Sequence, residues 1–322
     1  MPPYHKKNTV NKVKRFFLLI LLFCLLLTFF YITVRYYHIH YHTICWFNRC
    51  NAPENLTSPP SQTNTLSSPT FHLKFDIHNK IVSNVDSNLS GLTYDFDNRQ
   101  LIGVINSPPS IVILDTEGNT LRHHVIHGAN DTEGITYVGN GQIALLQEKR
   151  HSILLISIPT ENHAPIFVDE VNAFKLDIPE DKNNGPEGIA YHAATDTFYI
   201  VKERQPTGLY TVQGLLTDPQ NVVQNNLNHY LVPLDFATDF SGIALSPDSQ
   251  HLILLSDEAQ MLITMDLHGN FINHFDLAPW NLSLPPPQPE GVAIGPDNTI
   301  YIVSEPNLFY RLRPQLLPSS TK

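Results

Sequence analysis

The chain has 322 residues, of which 42% are hydrophobic and 16% charged, a balance that excludes an intrinsically disordered protein. Residues 1–50 hold seven Lys/Arg and no Asp or Glu, so residues 51–322 carry the other 13 Lys/Arg against all 30 Asp/Glu, a formal charge of −17. A domain this acidic repels nucleic acid and anionic lipid head groups and attracts cations, and we predict no nucleic-acid partner.

The first predicted element is a transmembrane helix at residues 16–34, where 19 successive residues carry no charge. At about 1.5 Å per residue this run matches a hydrocarbon core of roughly 30 Å. Five Lys/Arg precede it in a basic tail, residues 1–15, whereas only Arg35 follows it immediately, so the tail is predicted to be cytoplasmic. We therefore expect a single-pass protein of the inner (cell) membrane whose main domain faces the periplasm or the exterior. A cleaved signal peptide is the alternative, but the run is long and no small-residue cleavage site follows it.

Residues 35–70 are predicted to form a juxtamembrane segment followed by a flexible linker, because residues 51–70 are rich in Ser, Thr, Pro and Asn. Cys45 and Cys50 could close a small disulfide loop on an oxidising side, or remain two thiols. His38, His40 and His42 alternate and could share one face of a strand as metal ligands, although we favour an amphipathic interfacial stretch.

One signature recurs five times in residues 71–315: a Ser or Glu, then Gly, then an apolar strand. The glycines are spaced 43, 54, 54 and 49 residues apart, at Gly91, Gly134, Gly188, Gly242 and Gly291. A second apolar strand follows each copy: Leu101–Ile105, Ile143–Leu146, Phe198–Val201, Leu252–Leu255 and Ile300–Val303. A third strand follows in every unit and a fourth in most. Four short strands per unit of 40–50 residues are typical of a β-propeller blade.

Five copies predict an all-β propeller of five blades, with residues 316–322 as a tail. A sixth, degenerate blade hidden in the two 54-residue intervals, giving a TolB-like ring, is the alternative. The last unit lacks a fourth strand, and Phe71–Ile77 can supply it and remove the open edge. The repeated glycine is explained by crowding of the innermost strands around the axis, where a Cβ would clash.

Two sets of polar residues are predicted to meet at one mouth of the central channel, because the start of a first strand lies beside the end of the second. One set precedes the glycines, and the other ends the second strands. Three of the ten residues are Ser90, Asn106 and Ser241. The other seven are carboxylates and are the predicted metal ligands: Glu133, Glu148, Glu187, Glu203, Asp257, Glu290 and Glu305.

Crowded carboxylates repel one another, and Ca²⁺, which takes six to eight oxygen ligands, would relieve that repulsion. The sequence therefore predicts a Ca²⁺ site at this mouth, with Asp131 and Asp239 as further oxygens nearby. Salt bridges are the alternative, because Lys149, Arg150, Lys202 and Arg204 adjoin the second set. The neighbouring cations Lys202 and Arg204 are the predicted binding residues for an anionic substrate.

The motifs SGLTYD, DTEGITY, GPEGIAY and QPEGVAIG, with the strand endings LLQEKR, YIVKER and YIVSEP, resemble the SdiA-regulated (YjiK/CarP-like) family of bacterial propellers. The resemblance spans about residues 71–315. It implies an envelope-facing propeller linked to calcium regulation, with a phytase-like activity proposed for the family. Ser90, Asn106 and Ser241 depart from a full acidic ring, which leaves the ligand count open.

Three functions follow from these patterns. The first is Ca²⁺ binding at the acidic rim, in calcium homeostasis or envelope signalling. The second is a metal-dependent hydrolase, such as a calcium-dependent phosphoesterase or a lactonase. The third is a scaffold that binds another envelope protein, which the propeller fold alone does not exclude.

Overall fold

The computed structural model describes residues 71–168, 173–179, 185–204, 206–278 and 285–316, together with Phe23, Leu26 and Thr28, which are helical. Apart from these three residues, the predicted membrane helix at 16–34 lies outside the described residues, as do the basic tail, the linker, Cys45, Cys50 and the alternating histidines. Within the described part of the chain, no helix combines the length and the apolar character needed to cross a bilayer.

The described part of residues 71–316 forms five β-sheets, which we number as blades in chain order. Blade 1 contains β2 (Leu89–Asp95), β3 (Gln100–Ile105), β4 (Ser110–Leu114), β5 (Thr120–His127) and β9 (Ile166–Phe167). Blade 2 contains β6 (Thr132–Gly139), β7 (Gln142–Gln147), β8 (Ser152–Ser157) and β10 (Phe174–Lys175). Blade 3 contains β11 (Pro186–His192), β12 (Thr197–Lys202), β13 (Gly208–Gln213) and β14 (Val223–Asn226). Blade 4 contains β15 (Gly242–Leu245), β16 (His251–Ser256), β17 (Met261–Asp266) and β18 (Phe271–Asp276). Blade 5 contains β19 (Pro289–Ile294), β20 (Ile300–Ser304), β21 (Leu308–Leu316) and β1 (Phe71–Ile81).

The five-bladed propeller predicted from the repeat is confirmed. The first long interval between glycines contains the two-residue strands β9 and β10, and β9 joins the edge of blade 1 in parallel with β5. The second contains a 3-10 helix at Asn228–Leu234. A further 3-10 helix, Ala193–Thr195, joins β11 to β12. The described residues of both intervals therefore extend existing blades and loops and do not form a sixth sheet.

The N-terminal strand closes the ring, as predicted. β1 pairs antiparallel with β21, with Phe75 opposite Leu312. The buried Arg311 guanidinium donates to both carboxylate oxygens of Asp76 on β1 at 2.9 Å, and also to the Thr116 carbonyl oxygen of blade 1 at 2.8 Å. One side chain therefore links the closing strand, its partner strand and the next blade.

Apolar layers between facing blades form the core. The middle strands β4 and β12 are buried along their whole length, because each face packs against a neighbouring blade. Between blades 1 and 2, for example, Ile102 and Ile111 belong to one apolar cluster with Ile143 and Leu145. This packing fixes how closely the innermost strands approach the axis.

The motif glycines are required where β2, β6, β11, β15 and β19 surround the axis. A Cβ on Gly91 would lie 2.4 Å from the carbonyl oxygen of Glu133, and one on Gly134 would lie 2.5 Å from that of Glu187. A Cβ on Gly188 would lie 2.8 Å from the Ile243 nitrogen, and one on Gly242 would lie 2.8 Å from the Glu290 carbonyl oxygen. A Cβ on Gly291 would lie 2.6 Å from the Leu92 nitrogen. Each glycine therefore allows its strand to contact the backbone of the next blade, as the sequence predicted.

We expect Gly134→Ala to lower the free energy of unfolding by about 3 kcal/mol, because the clash is with backbone that cannot rotate away. In a domain of this size this corresponds to roughly 6–12 °C in Tm, measured by thermal unfolding of the purified chain. Gly141→Ala is the control: a Cβ there meets nothing within 4 Å, and only its φ of 69° opposes alanine, so about 1 kcal/mol is expected. Equal losses in the two variants would contradict the crowding explanation.

Candidate functional site

A β-bulge or register shift includes the residue that precedes the motif glycine in blades 1, 2, 3 and 5. In blade 3, Pro186 pairs with Lys202 and Gly188 with Val201, so Glu187 is the extra residue of the strand. Blade 5 has the same irregularity around Glu290, and blade 1 has it around Ser90. A bulge redirects a side chain out of the regular alternation. In this propeller it places the motif residue at the start of the inner strand, beside the end of the second strand.

Each of the seven predicted ligands is Glu187 or Glu290 or interacts through its charge with one of these two buried carboxyls. The charges that act on Glu187 come from Glu133, Glu148, Glu203 and Glu290. Those acting on Glu290 come from four carboxylates: Asp257, Glu305, Glu133 and Glu203. The two sets identified in the sequence therefore converge, and we call their common location the acidic mouth.

The tightest cluster at the acidic mouth is formed by Asp131, Glu133 and Glu148, whose carboxylate oxygens lie within 4.8 Å of one another. Glu148 Oε1 accepts a hydrogen bond from the Gly185 amide at 3.0 Å, and Asp131 Oδ1 accepts one from Lys149 Nζ at 3.0 Å. Asp131 Oδ2 is buried and has no hydrogen-bond partner among the described residues. A cation or a shared proton at this position would satisfy that oxygen.

The sequence pattern indicated Asp131 only as a further oxygen near the site, outside the seven predicted ligands. Asp131 lies three residues before Gly134, a position that is Asn88, Asp131, Gly185, Asp239 and Gln288 in the five blades. Polar residues occupy four of these five positions, which is the signal that could have identified it. The fully buried Asp239 accepts hydrogen bonds from Ser256 Oγ and from the Asp257 and Glu258 amides, so in blade 4 the same position braces a turn.

The environment of the acidic mouth opposes ionisation. Burial raises the pKa of Glu133 to about 8, and the charges of Glu148 and Asp131 add to the rise. Burial, followed by the charge of Asp239, raises the pKa of Asp257 to about 7. Four further carboxyls also have raised pKa values, with burial as the first cause: Glu148, Glu187, Glu290 and Glu305. These groups therefore favour protons or a cation over full, uncompensated ionisation.

The salt-bridge alternative describes Glu203, whose carboxylate pairs with the Arg204 guanidinium. Arg204 also donates to Glu258 Oε1 at 3.1 Å. Lys202 is only 2% exposed, and its ammonium donates to the carbonyl oxygens of Arg204 at 2.7 Å and Pro206 at 3.3 Å. Both cations thus make contacts within the protein, and their predicted contact with an anionic substrate stays a prediction.

The three neutral members of the two sets donate hydrogen bonds to neighbouring oxygens. The Asn106 side-chain amide donates to the Glu133 carboxylate, and Ser90 Oγ donates to the Asn88 carbonyl oxygen at 3.2 Å. Ser241 Oγ donates to the carbonyl oxygen of Pro289 at 2.6 Å. Blade 1 therefore contributes none of the seven carboxylates, and the closest carboxylate cluster of the acidic mouth lies on blade 2.

A family model described as SdiA-regulated matches residues 64–313. Among solved structures, glutaminyl cyclase from Myxococcus xanthus is similar at 10% identity and a TM-score of 0.48, covering 78% of this chain and 100% of the other. A luciferin-regenerating enzyme matches at 11% identity and a TM-score of 0.44, covering 76% and 95% of the two chains. Virginiamycin B lyase from Staphylococcus aureus matches at 15% identity and a TM-score of 0.41, covering 78% and 76%. Likeness at these values assigns no activity to this chain.

The raised pKa values predict that the metal-free protein loses stability as the pH rises. Between the unfolded pKa of about 4.5 and the folded pKa of about 8 for Glu133, the folded state binds more protons than the unfolded state, so the free energy of unfolding falls with pH. We expect Tm in EDTA to fall by roughly 5–10 °C from pH 5 to pH 8, measured by differential scanning fluorimetry. A Tm that rises over this range would contradict the electrostatic description of the acidic mouth.

Proposed function

The chain belongs to the SdiA-regulated family of β-propellers, and from that premise we propose that its propeller binds Ca²⁺ at the acidic mouth. The observation that carries the proposal is the cluster of Asp131, Glu133 and Glu148, in which a buried carboxylate oxygen has no partner among the described residues. This donor set consists of hard, anionic oxygens, which Ca²⁺ prefers.

The residues fit such an ion in both number and charge. Asp131, Glu133 and Glu148 would hold it, and Glu187 is the next carboxylate in electrostatic contact with that cluster. Bidentate carboxylates and water could complete the six to eight ligands that Ca²⁺ takes. Among the described residues, Lys149 forms an ion pair with Asp131, and Arg204 forms one with Glu203. A divalent cation would supply further positive charge to the carboxylates of the acidic mouth.

The finer parts of the proposal concern cellular context. We propose that the apolar run at residues 16–34 anchors the propeller to the cell membrane, with the acidic mouth on the outer side. In that position the protein would sense or buffer Ca²⁺ for calcium homeostasis or envelope signalling. The placement of Lys and Arg supports this orientation, because five of them precede the apolar run and only Arg35 follows it immediately.

A calcium-dependent phosphoesterase would need cations that can hold a phosphate group. Lys202 and Arg204 are the predicted candidates, but their side chains already contact backbone carbonyls and carboxylates. Among the described residues of the acidic mouth, no contact favours hydrolysis over simple cation binding.

We expect Ca²⁺ to raise the Tm of the purified chain at pH 7.5. At a concentration 100 times Kd, one site stabilises the folded state by about 2.7 kcal/mol, or roughly 5–10 °C. The double variant Asp131→Asn, Glu148→Gln should lose this shift while keeping or raising its Tm in EDTA, because it removes repelling charges. Glu161→Gln, which changes an exposed carboxylate in a loop, is the matched control and should respond like the parent chain.

Two results would count against the proposal. One is the lack of any stabilisation of the parent chain at millimolar Ca²⁺. The other is a double variant whose Tm in EDTA falls by more than that of Glu161→Gln, since this would show that Asp131 and Glu148 act as structural ion-pair partners. Calorimetric titration of the same three proteins would give the stoichiometry.

A further inference from the structure

A cavity of about 310 Å³ opens at the end of the channel opposite the acidic mouth. Its walls are the later residues of the inner strands and the loops that join first to second strands in blades 1–4. Five side chains that directly follow the motif glycines separate it from the acidic mouth: Leu92, Ile135, Ile189, Ile243 and Val292. At this ring the channel narrows to a void of about 10 Å³, room for no more than one water molecule.

The cavity is lined mainly by apolar and aromatic surface. Three tyrosines, Tyr94, Tyr137 and Tyr191, belong to its wall. The Tyr137 hydroxyl donates to Asp97 Oδ2 at 2.5 Å, and the Tyr191 hydroxyl donates to Asp196 Oδ1 at 3.2 Å. Because these two hydroxyls already have partners inside the protein, the tyrosines mainly offer ring surface to a ligand.

Backbone amides supply the directional polar groups of this cavity. The Tyr137 amide donates to Thr93 Oγ1 of the preceding blade at 3.0 Å. Alanines replace that threonine in the last three blades, at Ala190, Ala244 and Ala293, and an alanine cannot accept this hydrogen bond. By the same relation between neighbouring blades, Ala190 lies beside the Leu245 amide and Ala244 beside the Ile294 amide. No side chain of the described residues accepts a hydrogen bond from either amide.

Strand alternation points both amides toward the channel. The Ser246 amide donates to the His251 carbonyl oxygen at 2.9 Å, and the Gly295 amide donates to that of Thr299 at 2.9 Å. Successive amides of an antiparallel strand point to opposite sides, so the preceding amides of Leu245 and Ile294 point away from β16 and β20. Ile294 is buried and Leu245 is half-buried, and a ligand in the cavity could provide an acceptor for both amides.

We propose that this cavity binds a small neutral molecule with an apolar, ring-containing body and a carbonyl oxygen that accepts hydrogen bonds from the Leu245 and Ile294 amides. A volume of 310 Å³ corresponds to about ten water molecules and lies at the lower end of the range for small-molecule sites. A neutral ligand is favoured because the domain is strongly acidic and Asp97 lies at the rim.

The test uses the fluorescent ketone 6-propionyl-2-dimethylaminonaphthalene with the purified full-length chain. We expect saturable binding of one dye per chain with a blue-shifted emission, unchanged by Ca²⁺ or EDTA. The matched probe 2-dimethylaminonaphthalene lacks the carbonyl and should bind at least tenfold more weakly. Equal affinity of the two probes would overturn the role given to the amides.

Variants locate the dye. Ala193 and Ala194 are both exposed and adjacent in one 3-10 helix, but only Ala193 lines the cavity. Ala193→Trp should reduce dye binding at least tenfold, whereas Ala194→Trp should leave it unchanged. Dye that partitions into detergent gives the same background signal with both variants.

Ala244→Thr should accept a hydrogen bond from the Ile294 amide, as Thr93 does from the Tyr137 amide, and should weaken binding of only the ketone probe. Equal binding by the two tryptophan variants, or loss of binding in the Asp131→Asn, Glu148→Gln chain, would overturn the proposal.

Discussion

The close approach of five inner strands around one axis is the constraint on which the rest of this structure depends. The backbones meet at the motif glycines, where the Glu133 carbonyl oxygen lies over Gly91 and the Glu187 carbonyl oxygen lies over Gly134. In blades 1, 2, 3 and 5 the residue before the glycine lies in a bulge or register shift, and close backbone packing also brings these side chains close to those of the other blades. The crowding that closes the ring therefore also creates the acidic mouth.

This crowding has an electrostatic cost that the protein compensates only in part. Arg204 neutralises Glu203, and Lys149 pairs with one oxygen of Asp131. The pKa of Glu133, at about 8, shows how strongly burial and neighbouring charge oppose its ionised form. A fold that kept these carboxylates only for internal hydrogen bonds would gain stability from neutral residues of similar size. The cation proposed for the acidic mouth would relieve this cost.

The fold could be derived from the sequence because repetition turns local patterns into global ones. Five copies of one motif fixed the blade count, and the unpaired strand at Phe71 indicated how the ring closes. The site was derived only in part. Convergence of the seven carboxylates followed from hairpin geometry, but the bulges, the partnerless oxygen of Asp131 and the pairing of Glu203 with Arg204 depend on side-chain positions between blades. The cavity opposite the acidic mouth was missed because its lining residues, such as Ile189 and Ala244, are indistinguishable in sequence from ordinary strand core.

The same five strands thus present opposite chemistry at their two ends. The apolar ring that includes Leu92, Ile189 and Val292 leaves little room for water beneath the acidic mouth, so the carboxylates above it are poorly solvated. That desolvation is the first cause of the raised pKa of Glu187 and Glu290. The ring also blocks passage along the axis, since the remaining void holds about one water molecule. A cation at one end and a neutral molecule at the other would therefore occupy separate compartments, so binding at one end is expected to be independent of binding at the other.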